Sequence, residues 1–183
     1  MIGIVLCFLP IIIAIVIFTV AFKLKFTHEL LACLFGLIAV LPISFIQYFL
    51  PGIPGLQNTP VLQALLKSVL LYGLVEELLK MVLLFPIPHK NSTALQFLLL
   101  SFLMGLALGC FESVVYYFDH LQIASNKGAQ LLYGQIALRI FSSDLIHMTC
   151  TGLSGLFVFT CKDKNKKLDN KIILLFLNEL TEK

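Results

Sequence analysis

The chain has 183 residues, of which 59% are hydrophobic and 13% charged, with a formal net charge of +3 and a mean hydropathy of +0.98. Soluble domains carry about 25% charged residues, so this composition excludes a water-soluble fold. At about 20 residues per membrane span, it also leaves no room for a separate soluble domain. The expectation is one integral membrane domain over residues 1–183, an all-α polytopic helix bundle. It would hold about five transmembrane helices and a short C-terminal interfacial helix.

In chain order, the first apolar segment is 2–22. It lacks a basic leader and a small-x-small cleavage site, so we read it as a retained helix. The second is 29–50, with Pro10 and Pro42 as the places where the first two helices would kink. Neither has interior charge apart from Glu29 at an edge, and both read as structural walls. The third is 61–85, ended by PIPHK, and the fourth is 94–118, with Asn91, Ser92 or Thr93 available as N-cap. The fifth runs from 129 to about 161, long for one crossing, and so is tilted or extends beyond the bilayer. Residues 172–180 are too short to span and read as an interfacial amphipathic helix.

Lysines fall on alternate loops: Lys23 and Lys25, then Lys90, then Lys162, Lys164, Lys166, Lys167 and Lys171. Loop 51–60 has no charge, and 119–128 carries only Asp119 and Lys127. The positive-inside rule then predicts a multi-pass cell-membrane protein with its N-terminus outside and a basic cytoplasmic tail at 162–183. That tail reads as a topology determinant in contact with the lipid bilayer, not as a nucleic-acid site. The five cysteines, Cys7, Cys33, Cys110, Cys150 and Cys161, show no CxxC spacing and read as apolar packing residues.

Charge inside lipid-soluble sequence is the anomaly. A carboxylate near the bilayer centre costs about 2.5–3.5 kcal/mol on insertion scales and marks function. Glu76, Glu77 and Lys80 share the third segment, at spacings that let Lys80 reach either carboxylate. One pairing would leave the other carboxylate, about 100° round the helix, without a partner. In the fourth segment Gly105, Gly109, Glu112 and Tyr116 share a face, and the glycines admit a close neighbour. In the fifth, Arg139, Ser143, His147, Thr151 and Gly155 form an i,i+4 series, with Asp144 placed to orient His147.

Helical rise puts Glu76 about 14 Å from the cytoplasmic end of its helix and Glu112 about 9 Å from the outer end of its own. A kink or unequal ends would then be needed to bring them together. Paired carboxylates with a histidine suit water activation, one group taking the proton and another donating to the leaving nitrogen. His and Glu ligands also suit zinc with an open position, with Glu77, Glu112 and His147 as the metal candidates. HExxH and GxSxG are absent, which disfavours zincin and serine chemistry.

EELLK (76–80) resembles the EExxK motif of the PrsW family of membrane proteases. GLALGCFESVVYY (105–117) resembles its glycine-rich stretch leading to a glutamate and a tyrosine. Arg139 followed by HMTCTGLSG (147–155) resembles its third motif, and the match covers about residues 60–160. The resemblance implies an intramembrane endopeptidase, related in fold to the CAAX prenyl endopeptidases and their bacterial homologues. Its substrate would be a membrane-anchored protein such as an anti-sigma factor. It also implies catalytic roles for Glu76, Glu77, Glu112 and His147, supported by Lys80, Tyr116, Arg139 and Ser143. Glutamate chemistry would need no cofactor; zinc is the alternative. Leu108 and Ser113 stand where the family often has Phe and Asn, which removes an Asn able to polarise the scissile carbonyl. Two other readings compete: a non-catalytic membrane scaffold of the same fold that binds partner helices, and a small proton-linked transporter whose Glu, Arg and His form a relay.

Overall fold

In the computed structural model the described residues are 2–49, 61, 65–66, 69, 73–88, 92–127 and 129–162, and they form helices without a strand. Helix α1 is Ile2–Phe22, α2 is Phe26–Phe49, α3 is Val75–Leu84 and α4 is Ala94–Lys127. Helix α5, Ala129–Arg139, passes through a π-helical turn at Ile140–Asp144 into α6, Leu145–Lys162.

Four stretches among the described residues are long and apolar enough to cross a membrane: Ile2–Phe22, Phe26–Ile46, Ala94–Leu121 and Leu132–Cys161. They correspond to the first, second, fourth and fifth expected spans. The expected span at 61–85 lies partly outside the described residues, and its described portion is chiefly α3. Loop 51–60, the interfacial helix at 172–180 and the tail beyond Lys162 also lie outside them.

The α1–α2 connection turns at Lys23, whose φ of 52° is left-handed. The amide of Leu24 then donates to the Phe18 carbonyl at 3.4 Å. This lets α2 begin at Phe26, three residues earlier than the hydropathy pattern placed it. Both helices continue through their prolines, Pro10 and Pro42. At the start of α4 the Thr93 hydroxyl accepts from the Gln96 amide at 3.2 Å, and the Gln96 side chain accepts from the Thr93 amide at 3.1 Å. Of the three N-cap candidates, Thr93 therefore closes a reciprocal capping box.

Helix α4 is the axle of the bundle, packed against α1, α2, α5 and α6. Phe97, Leu100, Leu103, Met104 and Leu108 lie on it, essentially without exposed surface. The α4–α6 contact is close because α4 presents glycine. A β-carbon at Gly105 would strike the His147 carbonyl, and one at Gly109 would lie 2.9 Å from the Asp144 Cα. The outer side of α1 exposes Val5, Ile12, Val16 and Val20, as expected where lipid is the solvent.

Candidate active site

Helix α3 supplies three polar groups to its inner side. Lys80 is the pivot, its side chain only 1% exposed. Its Nζ lies 2.6 Å from Glu76 Oε1, 2.8 Å from Glu77 Oε1 and 3.1 Å from His147 Nδ1. An ammonium has three N–H donors, and two carboxylate oxygens and an imidazole nitrogen surround this one. The expectation that one of the two glutamates would lack a partner is thus corrected: a single lysine grips both. Glu77 keeps one oxygen over, since Oε2 is buried with no hydrogen-bond partner.

His147, on the first turn of α6, joins the helices. Its Nδ1 sits 2.9 Å from Glu76 Oε1 and its Nε2 3.1 Å from Glu112 Oε2 on α4. Arg139, the last residue of α5, donates through Nη2 to the same Glu112 oxygen at 3.2 Å and lies 5.1 Å from the centre of the Tyr116 ring. Tyr116 stacks on His120 with ring centres 3.8 Å apart. One polar line therefore runs Glu77, Lys80, Glu76, His147, Glu112, Arg139, Tyr116, across α3, α6, α4 and α5. The different depths expected from straight spans do not keep Glu76 and Glu112 apart, because the His147 ring spans the gap.

The π turn makes the α5–α6 part of this line possible. In a regular α-helix, residues eight apart diverge by about 80° around the axis. A π turn absorbs one extra residue, so Arg139 and His147 behave as if seven apart and diverge by about 20°. Both then face Glu112. The cost of this register falls on Ser143, which lies inside the turn and makes no hydrogen bond to the cluster, contrary to the i,i+4 series read from sequence.

Asp144 does not orient His147. Its buried carboxylate accepts from Ser113 Oγ at 3.1 Å and has Cys110 Sγ at 3.9 Å. Ser113, at the position where an Asn was expected, thus spends its hydroxyl on Asp144 and is not free to donate to a reacting carbonyl. This Asp144–Ser113 pair was missed in the sequence. Its only signal was the i,i+3 spacing of Cys110 and Ser113 on α4, which carries meaning only once Gly109 is known to face Asp144. Thr151, one turn beyond His147, is fully buried with Oγ1 unpartnered.

Three carboxylates (Glu76, Glu77, Glu112) face two permanent cations (Lys80, Arg139). The surplus of one negative charge is large where the dielectric is low, and it suits a proton on His147 or a bound cation. Glu76, Glu112 and His147 each offer one ligand atom, and these atoms all lie within 4.8 Å of one another. Two carboxylate oxygens and an imidazole nitrogen form a donor set that zinc accepts, so the residues present fit a metal. Among the described residues, Glu76 stands in this group where the sequence pattern puts Glu77.

Against known proteins, residues 25–180 match the family model described as PrsW family intramembrane metalloprotease. No curated protein and no solved structure matches the chain.

Proposed function

The chain belongs to the PrsW family of intramembrane metalloproteases, and from that premise we propose that it cleaves a membrane-anchored protein, such as an anti-sigma factor, with Glu77 as general base. The observation that carries this assignment of the base is the bare Oε2 of Glu77, beside an Oε1 pinned by Lys80 at 2.8 Å. A base needs an unoccupied lone pair in a fixed place, and Glu77 is the glutamate of the three with no contact to His147, which engages one oxygen each of Glu76 and Glu112.

Glu77 Oε2 takes a proton from water as the water oxygen attacks the scissile carbonyl carbon. When the C–N bond breaks, the same carboxyl returns that proton to the leaving nitrogen. Lys80 holds Glu76 and Glu77 together and neutralises part of their repulsion. Arg139 fixes Glu112 from the other side. Glu76, Glu112 and His147 would hold zinc, which when bound supplies Lewis-acid polarisation of a carbonyl.

The test is cleavage of a single-span reporter peptide by purified protein in nanodiscs. Glu77→Gln should lower kcat by about 10²–10⁴-fold, the worth of a general base, with metal content unchanged. Glu76→Gln and His147→Ala should lower metal content together with activity. Wild-type cleavage by Glu77→Gln would remove Glu77 as base. Full activity after exhaustive chelation would remove the metal and leave a carboxylate mechanism.

A further inference from the structure

Beyond the polar line, a cavity of about 260 Å³ opens between α2, α4 and the end of α5. It touches the catalytic cluster through one shared wall, Glu112, with Arg139 beside it. The volume falls below the smallest ligand pockets, about 300 Å³, so it suits one side chain of a bound polypeptide and not a whole small molecule. Val40, Ile43 and Val115 give it an apolar flank, and Ser44, Tyr116 and Asp119 give it polar groups.

Charge decides what that side chain is. Arg139 and Glu112 are paired through one contact, with Arg139 Nε buried and unpartnered, so their two charges offset each other. The Asp119 carboxylate is exposed and has no ion-pair or hydrogen-bond partner among the described residues, and the Ser44 and Tyr116 hydroxyls are likewise open. Asp119 lies two helical turns from Glu112, about 10 Å along α4. An acidic side chain here would meet two carboxylates against one engaged guanidinium. A long basic side chain would lay its methylenes on Val40, Ile43 and Val115 and bring its charge to Asp119. A cation entering a membrane-embedded site requires such a counter-ion.

We propose that this cavity is a specificity subsite that takes a lysine or arginine side chain of the substrate, within a few residues of the cleaved bond, with Asp119 as the group that recognises its charge. The proposal rests on the protease reading for its setting, and its test keeps the two separable.

The probe is a single-span Leu/Ala host peptide in nanodiscs, carrying one guest residue scanned position by position. Cleavage by the wild type should show one position at which Lys or Arg raises kcat/KM about fivefold over Leu, the scale of a partly screened ion pair. Asp119→Asn should bring that ratio to near one, and Asp119→Lys should favour a Glu guest at the same position. Equal rates for Lys and Leu at every position, or a preference that survives Asp119→Asn, would overturn the subsite. Binding of the same peptides to Glu77→Gln, read by fluorescence anisotropy, serves as the independent arm. If the wild type cleaves none of them, an Asp119-dependent preference for basic guests in binding supports the subsite while the protease reading fails. No such preference in binding overturns the subsite as well.

Discussion

Lys80 is the residue on which the cluster depends. It engages two carboxylates and an imidazole from a site with almost no exposure, so Lys80→Met would leave two adjacent, partly buried carboxylates without their lysine counter-ion. Breaking a buried ionic group by removing one partner costs about 3–5 kcal/mol, and thermal unfolding in detergent should register a loss of that order. Lys80→Arg keeps the charge but replaces a tetrahedral donor by a planar fork. It should unfold less readily than Lys80→Met and still lose most activity. Glycine gives a sharper contrast. Gly105→Ala would place its methyl against the His147 carbonyl, push α6 away from α4 and break the 3.1 Å contact between His147 and Glu112. Gly134 has open space around it, so Gly134→Ala should leave cleavage unchanged and add about 0.5–1 kcal/mol of helix stability.

At the level of elements, the π turn at Ile140–Asp144 yields a prediction opposite to intuition. A π turn is an α-helix with one residue too many, so deleting Ser142 should restore a regular turn and keep Arg139 and His147 on the face that meets Glu112. Inserting an alanine after Ser142 should instead rotate His147 by about 100° and cost about 10²-fold or more in kcat, as misplacement of catalytic groups does. Cleavage by the two variants, with circular dichroism to confirm helix content, checks this. Thr93→Ala should remove one half of the capping box at α4 and lower stability by about 1 kcal/mol, read from the same unfolding curves. These two features separate what sequence discloses from what it hides. Asn91, Ser92 and Thr93 announce a helix start because capping is local, and Glu76, Glu77 and Lys80 announce an ion pair because their spacing is local. Nothing in residues 139–147 marks the extra residue of the π turn. Its form is set by tertiary contact, with Gly109 admitting Asp144 on one side and Glu112 engaging Arg139 and His147 on the other. The same holds for the partner of Asp144, which depends on which helix lies opposite.

For the whole molecule, the lysine pattern predicts that the N-terminus faces outward and the tail beyond Lys162 lies in the cytoplasm. In a variant lacking the native cysteines, a cysteine at Lys164 should resist a membrane-impermeant maleimide in intact cells and react in inverted vesicles. Reaction from outside would reverse the orientation. Among the described residues, one carboxylate ties three helices together. Glu112 receives Arg139 from α5 and His147 from α6 through a single oxygen, Oε2, and it also walls the cavity. A basic side chain held at Asp119 and a cation at the cluster would lie on either side of Glu112, about 10 Å apart along α4, and like charges in a low dielectric repel. Thermodynamic linkage makes the effect mutual: whatever factor a basic side chain in the cavity imposes on zinc affinity at the cluster, zinc imposes on the affinity for that side chain. A substrate would then register the metal state of the enzyme at the moment of docking, before any bond is broken.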